Sequence, residues 1–139
     1  MPKQFTLGKN ERLKSRKQIE QLFSNGKKFV VAPFRIFYQV DSKWSTGKEK
    51  NALQFGIGVS AKNFKKAVDR NKIKRLTREA WRLQKNNLKK KLISAELQLN
   101  VFFVYTARNV PAFDDIKGKV ALVLEKLFEK INENNSSNT

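Results

Sequence analysis

The chain has 139 residues, enough for one domain, with 30 Lys+Arg against 12 Asp+Glu and a formal charge of +18. There is no Cys and no His. This excludes disulfides, thiolate metal sites, thiol nucleophiles and every His-dependent triad, and it removes the commonest general base. Apolar residues make up 40% and aromatics 11%, which is sufficient for a packed core and argues against global disorder.

No run of about 18 apolar residues is present, and no apolar signal core follows the first five residues. The expectation is a soluble, cytoplasmic protein with no membrane and no small-molecule substrate. So much positive charge on one small domain points to a polyanion partner. The charge is also clustered, with 13 basic and 2 acidic residues in positions 62–91. Charge carried only for solubility would be spread more evenly.

Residues 1–14 read as a basic arm. Ser15 and Gln18 fit a capping box, and Ile19, Leu22 and Phe23 follow at helical spacing, so a short helix is predicted over 16–25 with Gly26 as its stop. Residues 33–40 read as a strand with Phe34, Ile36, Tyr38 and Val40 on one face and Arg35, Phe37 and Gln39 on the other. Residues 41–51, with Trp44 and Gly47, read as a loop. The alternating run 53–60 is the clearest strand; its off-face of Gln54, Gly56, Gly58 and Ser60 would let something approach closely. The two strands are expected to pair antiparallel.

The longest helix is predicted over 67–91. Ile73, Leu76, Ala80 and Leu83 share a packing sector, with Trp81 at its flank. Lys74, Arg75, Arg78, Arg82, Lys85 and Lys89 form an opposing cationic stripe. Like charges four apart, such as Lys74–Arg78 and Arg78–Arg82, cost an isolated helix a few tenths of a kcal/mol, so the stripe implies a partner that offsets the repulsion. Phosphates do so through charge-assisted bonds and counterion release. Asn71 reads equally as a cap or as an amide that binds RNA or a hydrated ion. The run 97–105 is a buried strand, and residues 113–131 form a final amphipathic helix with Asp114 and Asp115 in its first turn. Residues 132–139 read as a disordered tail, leaving 15–131 as one domain.

The resulting class is α+β and two-layered, with room for one more short strand. Phe23 and Phe37 are either ordinary core or a platform for unstacked bases. The acids are sparse and show no convergent pair. Gly56-Ile57-Gly58 lacks the later Gly and Lys of a phosphate loop. A general RNA-binding or ribosomal protein fits these features, and a DNA-binding regulator fits them less well.

The segment from Ala67 to Glu79, AVDRNKIKRLTRE, resembles the RNR motif of the protein subunit of bacterial ribonuclease P. The likeness extends to Gly56-Ile57-Gly58-Val59-Ser60, to Lys62, Lys65 and Lys66, to Ala80-Trp81-Arg82, to Leu22–Gly26 and to Ala107-Arg108. The third motif position is Lys72 rather than Arg, which keeps the charge without the bidentate fork. Ile19 stands where the family has an aromatic.

The resemblance implies a four-stranded sheet with the long basic helix in a βαβ crossover, left-handed in that family, related to the second domain of a small-subunit ribosomal protein. It implies cleavage of precursor tRNA by a catalytic RNA subunit with Mg²⁺ held mainly by RNA, the protein having no catalytic residue and no metal ligand. The RNA-binding set would be Lys62, Lys65, Lys66, Arg70, Asn71, Lys72, Lys74, Arg75, Arg78 and Arg82, with Arg12 of the arm. The 5′ leader would lie in a cleft at Ile19, Phe23, Arg35 and Phe37.

Overall fold

The computed structural model describes residues 11–13, 15–41 and 52–137. The elements in chain order are α1 (Arg16–Asn25), β1 (Lys27–Val31), β2 (Phe34–Asp41), β3 (Leu53–Val59), α2 (Ala67–Gln84), α3 (Asn86–Ala95), β4 (Gln98–Tyr105) and α4 (Phe113–Ser137). The Ser15 hydroxyl accepts from the Gln18 N–H at 3.4 Å, so the predicted cap forms. Gly26 ends α1 with extended backbone; its glycine is required by space, because an added Cβ would sit 2.6 Å from the Leu22 carbonyl oxygen.

The strands form one sheet in the order β1-β2-β4-β3. The antiparallel pairing expected between β2 and β3 does not occur. β4 lies between them, antiparallel to β2 and parallel to β3. Its run Leu99, Val101, Phe103, Tyr105 is the most buried in the sheet, and the centre is where a strand shielded on both edges is most stable. The extra strand is β1, a hairpin partner of β2 through Ala32-Pro33, whose peptide bond is cis.

Alternation sorts the sheet into two unlike faces. Phe34, Ile36 and Tyr38 of β2, Leu53, Phe55 and Ile57 of β3 and the inward residues of β4 pack beneath α2, α3 and α4 as the main core. The opposite face carries a small cluster of Leu13, Leu22 and Phe102, with Ile19, Phe37 and Val104 against it. The two-layer expectation describes the main core, and α1 adds partial cover on the other side.

The long helix predicted over 67–91 is interrupted at Lys85. Backbone bonds from Lys85 N–H to Trp81 C=O and from Lys89 N–H to Lys85 C=O continue across, and α3 extends to Ala95. Its packing face also differs from the prediction. Ile73, Thr77, Ala80 and Trp81 are buried, whereas Leu83 is 37% exposed. Trp81, placed at the flank from sequence, stacks flat on Phe55. Thr77 is accommodated because its hydroxyl donates to the Ile73 carbonyl at 2.8 Å.

The final helix, expected to end at 131, continues to Ser137, since polar residues can prolong a helix already nucleated by its packed turns. Of the predicted arm, residues 11–13 lie along β3. Residues 42–51, with Trp44, fall outside the described residues.

Candidate nucleic-acid interface

The cationic segment begins before α2. Lys62, Lys65 and Lys66 are exposed in the turn leading into the helix. Arg70 holds that turn in place, donating from Nη1 to the carbonyls of Phe64 at 2.6 Å and Lys65 at 3.0 Å. It therefore braces the backbone of residues 64–65, just before the helix, as well as carrying charge. Lys66 is the N-cap position, so Asn71 lies inside the helix; the capping alternative falls and its side chain is exposed.

Along α2, Lys72, Arg75 and Arg78 are exposed and Lys74 is half-buried, and none makes an ion pair with a described carboxylate. Arg82 donates from Nε to Glu79 at 3.1 Å and makes a second, shorter contact through Nη2, so its charge is partly met within the chain. Two members expected in the stripe leave it. Lys85 is buried and paired with Glu11, and Lys89 lies 3.5 Å from the same carboxylate. Helical periodicity placed both with the cations, but it could not register the N-terminal segment returning over the helix junction.

Lys74 and Arg78 line a cleft of about 380 Å³ together with Arg12, Leu13, Ile19, Phe102 and the β3 backbone from Phe55 to Gly58. Arg12 reaches this place because its segment runs parallel to β3, with Leu13 N–H donating to the Phe55 carbonyl at 2.8 Å. Burial, and then the nearby Arg12 charge, lower the pKa of Arg78 from its usual value. Three cations around one small cleft repel one another, and an anion would relieve that repulsion.

Beside the cleft is an aromatic patch. Phe23, 46% exposed, has its ring centroid 4.7 Å from Phe37 and 5.5 Å from Phe102. Arg35 is exposed on the same face of β2 as Phe37. Ile19 packs with this cluster and lines the cleft, so aliphatic surface is present where the family pattern would set a ring.

Phe102 was not singled out from sequence, although strand alternation places it opposite Val101 and Phe103. It also answers what approaches the small face of β3. A Cβ on Gly56 would lie 2.7 Å from the Phe102 ring, and one on Gly58 3.1 Å from it. The glycines make room for an aromatic of the chain itself.

A larger apolar groove, about 590 Å³, lies between α3 and α4 on the other side of the sheet, away from the aromatic patch. No described helix is long and apolar enough to cross a membrane.

These features define the class: a small, strongly basic α+β domain with an aromatic sheet face beside a cationic helix, the pattern of RNA-binding modules. The Ribonuclease P family model matches residues 7–131. The ribonuclease P protein component of Porphyromonas gingivalis is 34% identical over 116 residues, covering 84% of this chain and 82% of that one. That of Chlorobium phaeobacteroides is 29% identical over 130 residues, covering 88% of each. The solved RNase P protein of Staphylococcus aureus superposes with a TM-score of 0.63 at 20% identity, over 84% of this chain and 94% of that one. The chain belongs to the ribonuclease P protein family, whose members are the protein component of an RNA-processing enzyme. The ribosomal and DNA-binding alternatives give way to that membership.

Proposed function

We propose that the chain binds the catalytic RNA of ribonuclease P along the exposed cations of the turn and α2, and holds the single-stranded 5′ leader of precursor tRNA against the open sheet face. The observation carrying this reading is the adjacency of the Arg12–Lys74–Arg78 cleft to the Phe23–Phe37–Phe102 patch. Cations meet phosphates and rings take unstacked bases, and a single strand offers both. Arg35 and Ile19 border the same path.

Bond cleavage is assigned to the RNA with Mg²⁺. Among the described residues no three acidic side chains gather into a cage for the ion. The protein contributes positioning of the RNA and of the leader, and works in the cytoplasm where precursor tRNA is processed.

The test is reconstitution. Protein alone should leave precursor tRNA intact, and protein with the ribonuclease P RNA and Mg²⁺ should release the leader. Binding of precursor tRNA by the reconstituted enzyme should exceed binding of leaderless tRNA, and equal affinity for the two would overturn the leader assignment.

A further inference from the structure

Glu11 is a carboxylate set within a strongly cationic region of the surface. It is 9% exposed, bonded to the nearly fully buried Lys85 at the junction of α2 and α3, and 3.5 Å from Lys89. Its neighbour in sequence is Arg12, which lines the cleft with Lys74 and Arg78. Arg12 stands among like charges, and Coulomb repulsion alone would drive its segment away from α2. Something on the other side of the segment must hold it. Leu13 supplies one backbone bond and a buried side chain, and Glu11 supplies the ionic grip on α2 and α3.

We propose that Glu11 is a positioning residue for RNA binding: by clasping Lys85 and Lys89 it seats the N-terminal segment along β3 and thereby holds Arg12 at the cleft as a phosphate contact. The proposal rests on the reading of the cleft given above. It predicts that an acidic residue strengthens the binding of a polyanion, against the sign expected from net charge alone. The competing account is that Glu11 only neutralises the buried Lys85.

The two accounts separate in the Glu11→Ala/Lys85→Met double variant of the full-length chain. One charge of each sign is removed, so the net charge stays +18, no buried lysine is left unpaired, and the aliphatic packing is kept. The probe is the cognate ribonuclease P RNA transcript, with Kd followed over roughly 0.05–0.3 M monovalent salt. In the double variant Kd should rise roughly three- to tenfold, and the slope of log Kd against log salt should fall by about one contact. Freed Lys89 would push the slope the other way, so a decrease is not an artefact of that lysine. Arg12→Ala should show the same deficit, and adding it to the double variant should change nothing more. A double variant with wild-type Kd and slope, where Arg12→Ala is impaired, would falsify the clasp alone. An Arg12→Ala protein that binds like the wild type would remove the cleft reading and the clasp with it.

Discussion

The indole of Trp81 lies nearly parallel to the ring of Phe55, with 4.5 Å between centroids and 13° between planes. One residue belongs to α2 and the other to β3, so this stack fixes the rotation of the basic helix on the sheet. With Trp81 turned inward, Lys74 and Arg78 face the cleft and Lys72 and Arg75 face out. The indole N–H is buried without an acceptor among the described residues. Trp81→Ala should therefore cost about 3–5 kcal/mol of stability, as large aromatic truncations do. Trp81→Phe should cost clearly less than Trp81→Ala, since it keeps most of the stack, leaves a smaller cavity and removes an unsatisfied donor. Urea denaturation measures both; equal losses would mean that the indole is held by more than packing.

Phe23 is the exposed member of the aromatic patch, so its removal should separate binding from folding. Phe23→Ala should weaken precursor-tRNA binding by roughly 1–3 kcal/mol if a base stacks there. Affinity for leaderless tRNA should not change. A loss equal for both substrates would place the effect outside the leader.

The cations of α2 fall into two groups by direction. Lys74→Ala and Arg78→Ala remove charge from the cleft, and Lys72→Ala and Arg75→Ala remove it from the outer surface. Each residue that meets a phosphate should lower the salt slope of RNA binding by about 0.7–0.9 when removed. The Lys74 and Arg78 variants should in addition narrow the preference for leader-bearing substrate, and the outer pair should not. Filter binding across a salt series gives both quantities.

Gly56 is close to two fixed features, the Phe102 ring and the Leu13 carbonyl oxygen, which an added Cβ would approach to 2.7 Å and 3.0 Å. Gly56→Ala should cost about 1–3 kcal/mol, the usual effect of overpacking, and displace Phe102 from beneath Phe23. Leader affinity should fall with it although residue 56 carries no ligand-binding group. Thermal denaturation and leader binding together test this, and a stable variant with normal leader affinity would show that the ring has room to move.

Two phenols make stability fall at high pH. Burial raises the pKa of Tyr105 above 10.0, and burial followed by the Glu133 charge raises that of Tyr38. Below pH 10.0 both states hold these protons and the contribution is complete. As pH climbs from there toward the folded-state values, the unfolded chain ionises first and stability is lost. Tyr105, whose hydroxyl donates to the Asn109 carbonyl at 2.9 Å, should account for part of the loss. Tyr105→Phe should flatten the decline in denaturation midpoints measured between about pH 9 and 11.

Much of this protein is legible in the chain because it depends on local order or on composition. The cap at Ser15, the faces of β2 and β3, the helical course from residue 67 and the surplus of lysine and arginine follow from spacing and counts. The lack of His and Cys bounds the chemistry in the same way. What the residues determine by themselves is therefore which elements form and what charge they carry. The tertiary structure alone decided that β4 enters between β2 and β3, that Phe102 fills the space above Gly56 and Gly58, and that Lys85 turns from surface cation to buried partner of Glu11. Alternation sets which face a side chain takes but says nothing about which strand lies beside it. A lysine's role depends on where a distant carboxylate arrives, and that is settled only when segments 74 residues apart are packed together.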